Sequence, residues 1–193
     1  MSMIGIRILG ELINEQKIDR PSIILETMHE MIQSALKQDV TENNDGMDIA
    51  ICRFKHVTGE PYDWELKYAG AKQPIFIKRK NSNEVEVSET DRRGVGGQSY
   101  AEIFFFTDYD FQLNNGDRVY LTTDGIKDQN NIMRKRFGTN RLKLLLSITK
   151  TEKIQEQKMF IDAIASNWQG LEEQRDDISL WGLELSDKHV HNS

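Results

Sequence analysis

The sequence predicts an α+β domain of largely antiparallel sheets with helices on the outside. Three observations lead there. The hydrophobic periodicity runs in the order two helices, about six strands, two helices and one strand, without the regular strand–helix alternation that a doubly wound parallel sheet requires. At 193 residues the chain suits one domain and can bury roughly 70% of its unfolded surface. Its hydrophobic share of 38% and charged share of 29% are ordinary for a globular protein and argue against disorder.

The first helix is expected over residues 3 to 16, where Ile4, Ile8 and Leu12 form one stripe with Leu9 and Ile13 beside it. It begins without a capping side chain. Asp19 is the expected cap of a second helix, antiparallel to the first, with Pro21 in its first turn and Ile24, Met28, Ile32, Ala35 and Leu36 as its buried stripe. From Asp48 the period changes. Ile49 to Phe54 is apolar on both faces, as for a central strand between two layers, and Trp64 to Tyr68 alternates as its half-buried partner across the turn Gly59-Glu60-Pro61. A second hairpin joins Pro74 to Lys78 with Glu84 to Val87 around Asn81-Ser82-Asn83. Gly94 to Gly97 reads as loop, Ile103 to Phe106 as a short apolar segment, and Arg118 to Thr123 as a strand after the turn Asn114 to Asp117. Two further helices follow, one capped by Thr139 with Leu142, Leu145 and Leu146 buried, the other from about Glu152 with Ile154, Ile161, Ile164 and Trp168 on its stripe and Gly170 at its end. Ile178 to Leu185 is the last strand. Trp168 and Trp181 read as core.

Charge and composition exclude several classes. The net charge of −6 leaves no broad electrostatic grip on nucleic acid or an anionic membrane, and the one basic cluster, Met133 to Arg136, reads as a solvated turn. Membrane spans are excluded, because no run approaches the 18 or so apolar residues a bilayer needs. A single cysteine, Cys52, rules out an internal disulfide and a cysteine-based zinc cage. His189 and His191 lie in a polar tail, with His29 and His56 far away in sequence, so a histidine metal site is not expected either. The N-terminus has no basic segment followed by an apolar core and a cleavage site, so a cytoplasmic location follows by default.

Two acidic clusters stand at strand ends. Asp124 follows the strand Arg118 to Thr123 and precedes Gly125, while Asp176 and Asp177 immediately precede the last strand. Carboxylates placed there can converge over a sheet edge without the burial penalty of a charge in mid-strand. An all-oxygen ligand set suits a hard cation, Mg²⁺ or Mn²⁺. An ordinary Asp-Gly turn and a solvated Asp-Asp connection are the competing readings. Asp91-Arg92-Arg93 is either a surface charge cluster or a clamp in which Arg92 and Arg93 hold a substrate phosphate by bidentate hydrogen bonds. Gly94-Val95-Gly96-Gly97 lacks the Lys-Ser/Thr of a phosphate-binding loop. Asp48 reads as a strand-edge residue with a local hydrogen bond, and Cys52 as a small core residue.

Four segments in order carry a resemblance: Asp45 to Ala50, Leu66 to Ala71, Gly116 to Gly125, and Gln174 to Leu180. Together they resemble the bacterial branch of the PPM (type 2C) protein phosphatases typified by the stage II sporulation protein E family. That resemblance implies a four-layer α-β-β-α sandwich of two antiparallel sheets. It also implies hydrolysis of phosphoserine or phosphothreonine in a protein, with two Mn²⁺ or Mg²⁺ ions held by carboxylates and a metal-activated water in place of a side-chain nucleophile. By position, Asp124 and Asp176 match metal ligands, with Asp177 as a second ligand or an orienting neighbour.

Family members carry an Asp-x-x-Gly-His-Gly segment just upstream of a Met-Ser-containing helix, and Met1 to Gly5 resembles that helix. The expectation is therefore a phosphatase domain over residues 1–186, comprising its C-terminal portion without the first strands and first metal motif, and a polar tail over 187–193. The resemblance further implies a phosphorylated regulatory partner of the anti-sigma-factor-antagonist type in a bacterial partner-switching circuit, with no nucleic acid and no membrane contact. The alternative reading is a catalytically inactive or truncated phosphatase-fold module that binds a partner, or self-associates as a homodimer, through the exposed helix pair and an unpaired sheet edge.

Overall fold

A computed structural model describes residues 1–38, 40–97, 105–149 and 153–187. In chain order its elements are α1 (Ser2–Gly10), a π-helical turn (Glu11–Glu15), α2 (Pro21–Ala35), β1 (Gly46–Met47), β2 (Ile49–His56), β3 (Trp64–Ala71), β4 (Phe76–Lys78), β5 (Val85–Val87), β6 (Val95–Gly96), β7 (Tyr109–Leu113), β8 (Arg118–Thr122), α3 (Gly125–Asp128), α4 (Gly138–Ile148), α5 (Ile154–Gln169) and β9 (Leu180–Glu184). The chain divides into two compact units, one made of Met1–Pro74 with Glu89–Gln112 and the other of Ile75–Ser88 with the residues from Leu113 on. Every paired strand whose register is defined is antiparallel, so the α+β class expected from the periodicity holds.

In the first unit, Ile8 and Leu12 of the first helical segment and Ile24, Leu25, Met28 and Ile32 of α2 form a core with Ala69 and Ala71 of β3. The i, i+4 stripes put those residues on one face of each helix, against the sheet, whereas the outward side of the first helix leaves Met3 and Ile6 exposed. The first segment is not uniformly α-helical. After Gly10 it widens by one residue per turn, and the Gln16 amide donates to the Glu11 carbonyl, five residues back. The strand order is β2-β3-β7, and β2 pairs with β3 with Cys52 opposite Tyr68. The expectation of a central strand over Ile49 to Phe54 is therefore corrected: within this sheet β2 is outermost and only half-buried, and β3 is the central, buried strand. Burial pushes the Cys52 thiol up to about 12, so it behaves as an apolar side chain, as expected, and not as a thiolate.

Helix α2 starts differently from the reading. Its N-cap is Arg20, and Asp19 instead pairs with Arg53 at 3.0 Å. The capping carboxylate arrives from Asp108, which accepts hydrogen bonds from the Ser22 amide (2.9 Å), the Ser22 hydroxyl (2.9 Å) and Arg20 Nε (2.6 Å). Gly94 to Gly97, read as loop, contains β6, which pairs with β1 so that Met47 faces Val95. Position 96 requires glycine twice over, for its positive φ of 74° and because any Cβ there would run into Ile32. Its amide donates to Nδ1 of buried His29 at 3.1 Å, and burial lowers the pKa of that imidazole, which keeps it neutral and able to accept. Of the apolar segment Ile103 to Phe106, the first two residues lie outside the described residues; Phe105 is exposed and Phe106 joins the core. The tail histidines also lie outside them.

In the second unit the strand order is β5-β4-β8-β9. Phe76 and Tyr120 on one face of this sheet meet Leu142, Leu145 and Leu146 of α4 and Ile161 of α5 in a second core. The buried Tyr120 hydroxyl donates to Gln157 Oε1 at 2.9 Å, and Gln157 Nε2 donates to the Thr149 carbonyl at 3.2 Å. That chain gives the buried Gln157 side chain a partner for both its oxygen and its nitrogen. Helix α4 begins at Gly138 with Phe137 as N-cap and no side-chain cap, which corrects the assignment to Thr139. Trp168 is partly buried beside Phe137, with ring centres 5.5 Å apart, but Trp181 is 75% exposed and is not core. Among the described residues no helix is long and apolar enough to cross a membrane.

Candidate active site

The C-terminal end of β8 is joined to the segment entering β9 by a dense set of hydrogen bonds. The Thr122 hydroxyl donates to the Ser179 carbonyl at 2.9 Å, and the Thr123 amide donates to the same carbonyl at 3.0 Å. The Thr123 hydroxyl acts twice, donating to the Asp177 carbonyl at 2.8 Å and accepting from the Ser179 amide at 2.9 Å. These bonds extend the β8–β9 ladder past the last paired residues, Thr122 and Leu180. As a consequence, Asp124 stands beside Asp177.

Gly125 permits this approach. A Cβ at that position would sit 2.5 Å from the Asp177 carbonyl oxygen, closer than real side chains come. The chain then turns into α3, with Asp124 at its N-cap position and the Asp128 amide donating to the Asp124 carbonyl at 2.9 Å. The Asp124 carboxylate makes no capping hydrogen bond and is exposed. Behind the site, Gln129 ties three segments together. Its Nε2 donates to the Glu173 carbonyl at 3.1 Å, and its own carbonyl accepts from Trp168 Nε1 (3.2 Å) and the Phe137 amide (2.9 Å). Asp176 Oδ1 accepts from the Asp177 amide at 2.8 Å, and both side chains are exposed.

Two segments that are 52 residues apart in sequence thus meet at one sheet end, and the three sequence-predicted aspartates lie on them. Carboxylate oxygens suit a hard divalent ion. The fit is one of donor type and backbone placement. Among the described residues no group of three or more Asp, Glu, His or Cys side chains is placed to hold a metal ion by itself.

Arg92 and Arg93 belong to the other unit and are exposed. Their neighbour Asp91 does not complete a clamp with them, because its Oδ2 accepts from the Thr107 amide at 2.9 Å. Asp48 forms an ion pair with Lys72 at 3.8 Å in place of the local hydrogen bond expected for it. The residue that sequence reasoning missed is Thr123, whose hydroxyl holds the two acidic segments together. Its only sequence signal is a hydroxyl-bearing β-branched residue directly before Asp-Gly.

The family model for stage II sporulation protein E matches residues 1–186. The chain belongs to that family. Among solved structures it is similar to the PP2C domain of SiaA from Pseudomonas aeruginosa, with 23% identity, a TM-score of 0.77, and 96% of this chain against 69% of that one. It is also similar to the Mn-presoaked phosphatase domain of SpoIIE from Bacillus subtilis (17% identity, TM-score 0.56, 97% and 74% covered). A chain from a structure of the bacterial stressosome is similar at 14% identity and a TM-score of 0.53, with 94% and 74% covered. No curated protein sequence matches. At these identities the structures establish the fold, that of the PP2C phosphatase domains, and the stage II sporulation protein E family is thereby the branch in which this α+β chain sits.

Proposed function

We propose that this chain is a metal-dependent protein phosphatase that hydrolyses phosphoserine or phosphothreonine on a regulatory protein of the anti-sigma-factor-antagonist type, in a cytoplasmic partner-switching circuit. The observation that carries this reading is the Thr123 clamp, which holds Asp124 beside Asp177 at an exposed sheet end. Asp124, Asp176 and Asp177 are the proposed ligands from this chain to Mn²⁺ or Mg²⁺. Such ions, when bound, lower the pKa of a coordinated water and neutralise charge on phosphoryl oxygens. Thr123 and Gly125 position the aspartates, and the exposed Arg92 and Arg93 are proposed contacts for the substrate phosphate. The neighbours support the setting, since one is described as a phosphatase domain presoaked in Mn and another as part of the bacterial stressosome.

Hydrolysis of p-nitrophenyl phosphate and of a phosphoserine peptide by the full chain, with Mn²⁺, tests the reading, together with calorimetric titration of Mn²⁺. Chelator-sensitive turnover that disappears in Asp124→Asn, with weakened Mn²⁺ binding, is the expected outcome. Turnover indifferent to both chelator and substitution overturns it. A second reading, a non-catalytic module that self-associates, draws on β9, which is outermost in its sheet and carries exposed Trp181 and Leu183 on one face. Sedimentation analysis decides that reading: a dimer disrupted by Trp181→Ser, in a protein without turnover, favours it.

A further inference from the structure

Helices α4 and α5 leave an open groove of about 250 Å³ between them. Its walls come from two i, i+4 stripes, Leu144 and Ile148 on α4 and Ile164 and Trp168 on α5, with Phe137 and Leu145 lining the rest. Leu144 is 59% exposed and Ile148 44% exposed, which a solvated helix surface does not require of two apolar residues one turn apart. At one end a cation is fixed in place. The Arg141 guanidinium lies 4.3 Å from the centre of the Trp168 ring, and its Nη1 donates to the Phe137 carbonyl (3.1 Å) and the Arg136 carbonyl (3.3 Å). No carboxylate among the described residues pairs with Arg141, and the exposed Arg134 and Lys135 precede Phe137 by three and two residues in the chain, next to Arg136, which pairs with Asp128 at 3.2 Å.

We infer that this groove is a docking site for an amphipathic helix from a partner protein, one that presents an acidic side chain to Arg141. A groove bounded by Phe137 and Ile148 spans about 16 Å at the rise of an α-helix, enough for three turns of a bound helix. Apolar anchors at i, i+3 or i+4, and i+7 match the paired stripes. The acidic residue follows from charge complementarity: a pinned, carboxylate-free cation at the groove end favours an anion beside the apolar anchors, and the neighbouring basic turn steers it there. The site is separate from the Asp124 corner and the inference does not rest on phosphatase activity.

The test uses two labelled helical peptides of about 15 residues with the same leucine stripe, one flanked by glutamates and one by lysines, and reads binding to the full chain by fluorescence anisotropy. The glutamate peptide is expected to bind at least about 10-fold more tightly, the preference to vanish in Arg141→Glu, and Leu144→Ser to weaken both peptides alike. Leu144 is exposed, so its replacement by serine leaves the fold intact, and circular dichroism verifies this for both variants. Equal affinity for the two peptides, a preference that survives Arg141→Glu, or no binding of either peptide overturns the proposal.

Discussion

Strand β8 carries an aspartate before its first residue and another after its last, and the two have opposite surroundings. Asp117 is buried, and its carboxylate accepts from the Lys80 amide (2.8 Å), the Asn114 amide (2.9 Å) and Arg79 Nη1 (3.3 Å). Asp124 is exposed, and its carboxylate makes no hydrogen bond among the described residues. The first acid is consumed by the fold, fixing a turn and the β4–β5 hairpin. The second is held in place entirely by its backbone neighbours, which leaves its oxygens available to a ligand. A carboxylate that the structure positions but does not use is the better candidate for chemistry.

That contrast breaks if the two acids respond alike to substitution. Asp124→Asn is expected to lower metal-dependent turnover by about 100-fold or more, with a urea midpoint close to wild type. Asp117→Ala is expected to do the reverse in kind, with a loss of about 2–3 kcal/mol in urea unfolding, because it leaves the Lys80 and Asn114 amides without their shared acceptor while Arg79 keeps Glu86. Gly125→Ala sharpens the comparison. Its new Cβ meets the Asp177 carbonyl, so about 1–3 kcal/mol of stability is lost, and Mn²⁺ affinity measured by calorimetry falls with it, although no carboxylate has been removed.

The smallest effect concerns a third acid. Burial raises the pKa of Asp108, but the Arg20 and Ser22 hydrogen bonds outweigh it and hold the carboxyl below the usual range. A group whose folded pKa is depressed stabilises the protein above its unfolded value, near 3.9, and loses that contribution as pH falls through the folded value. Asp108→Asn is therefore expected to cost about 1–2 kcal/mol at neutral pH. The gap between its urea midpoint and that of wild type closes only below about pH 4.

Much of this was legible in the sequence, for definite reasons. The i, i+4 stripes of α2, α4 and α5 each report burial on one face, which a single chain records directly. What escaped involves partners distant in sequence. The cap of α2 comes from Asp108, 86 residues beyond Ser22. The two-residue ladder of β1 and β6 depends on Gly96 taking a positive φ beneath Ile32. Trp181 sits on an alternating strand, and alternation predicts a face without saying what covers it. At the site, Asp124, Asp176 and Asp177 could be picked out as acids at strand ends and through the resemblance, whereas the Thr123 clamp that joins their two segments could not.

One of the four segments behind the family resemblance has a physical basis unrelated to phosphate or metal. In β3 the Tyr68 side chain lies along its own strand, its hydroxyl donating to the Gln73 carbonyl at 2.6 Å, and its phenol occupies the space where a side chain at position 70 would go. Tyrosine and glycine here form a lock and its keyhole within a single strand. Variation at these two positions should then be paired: shedding the ring at 68 removes the nearer obstacle to an alanine at 70 and leaves the Gln73 carbonyl, 2.7 Å from the new Cβ, as the other. A library randomised at both sites and sorted for folded protein would reveal that linkage as missing combinations.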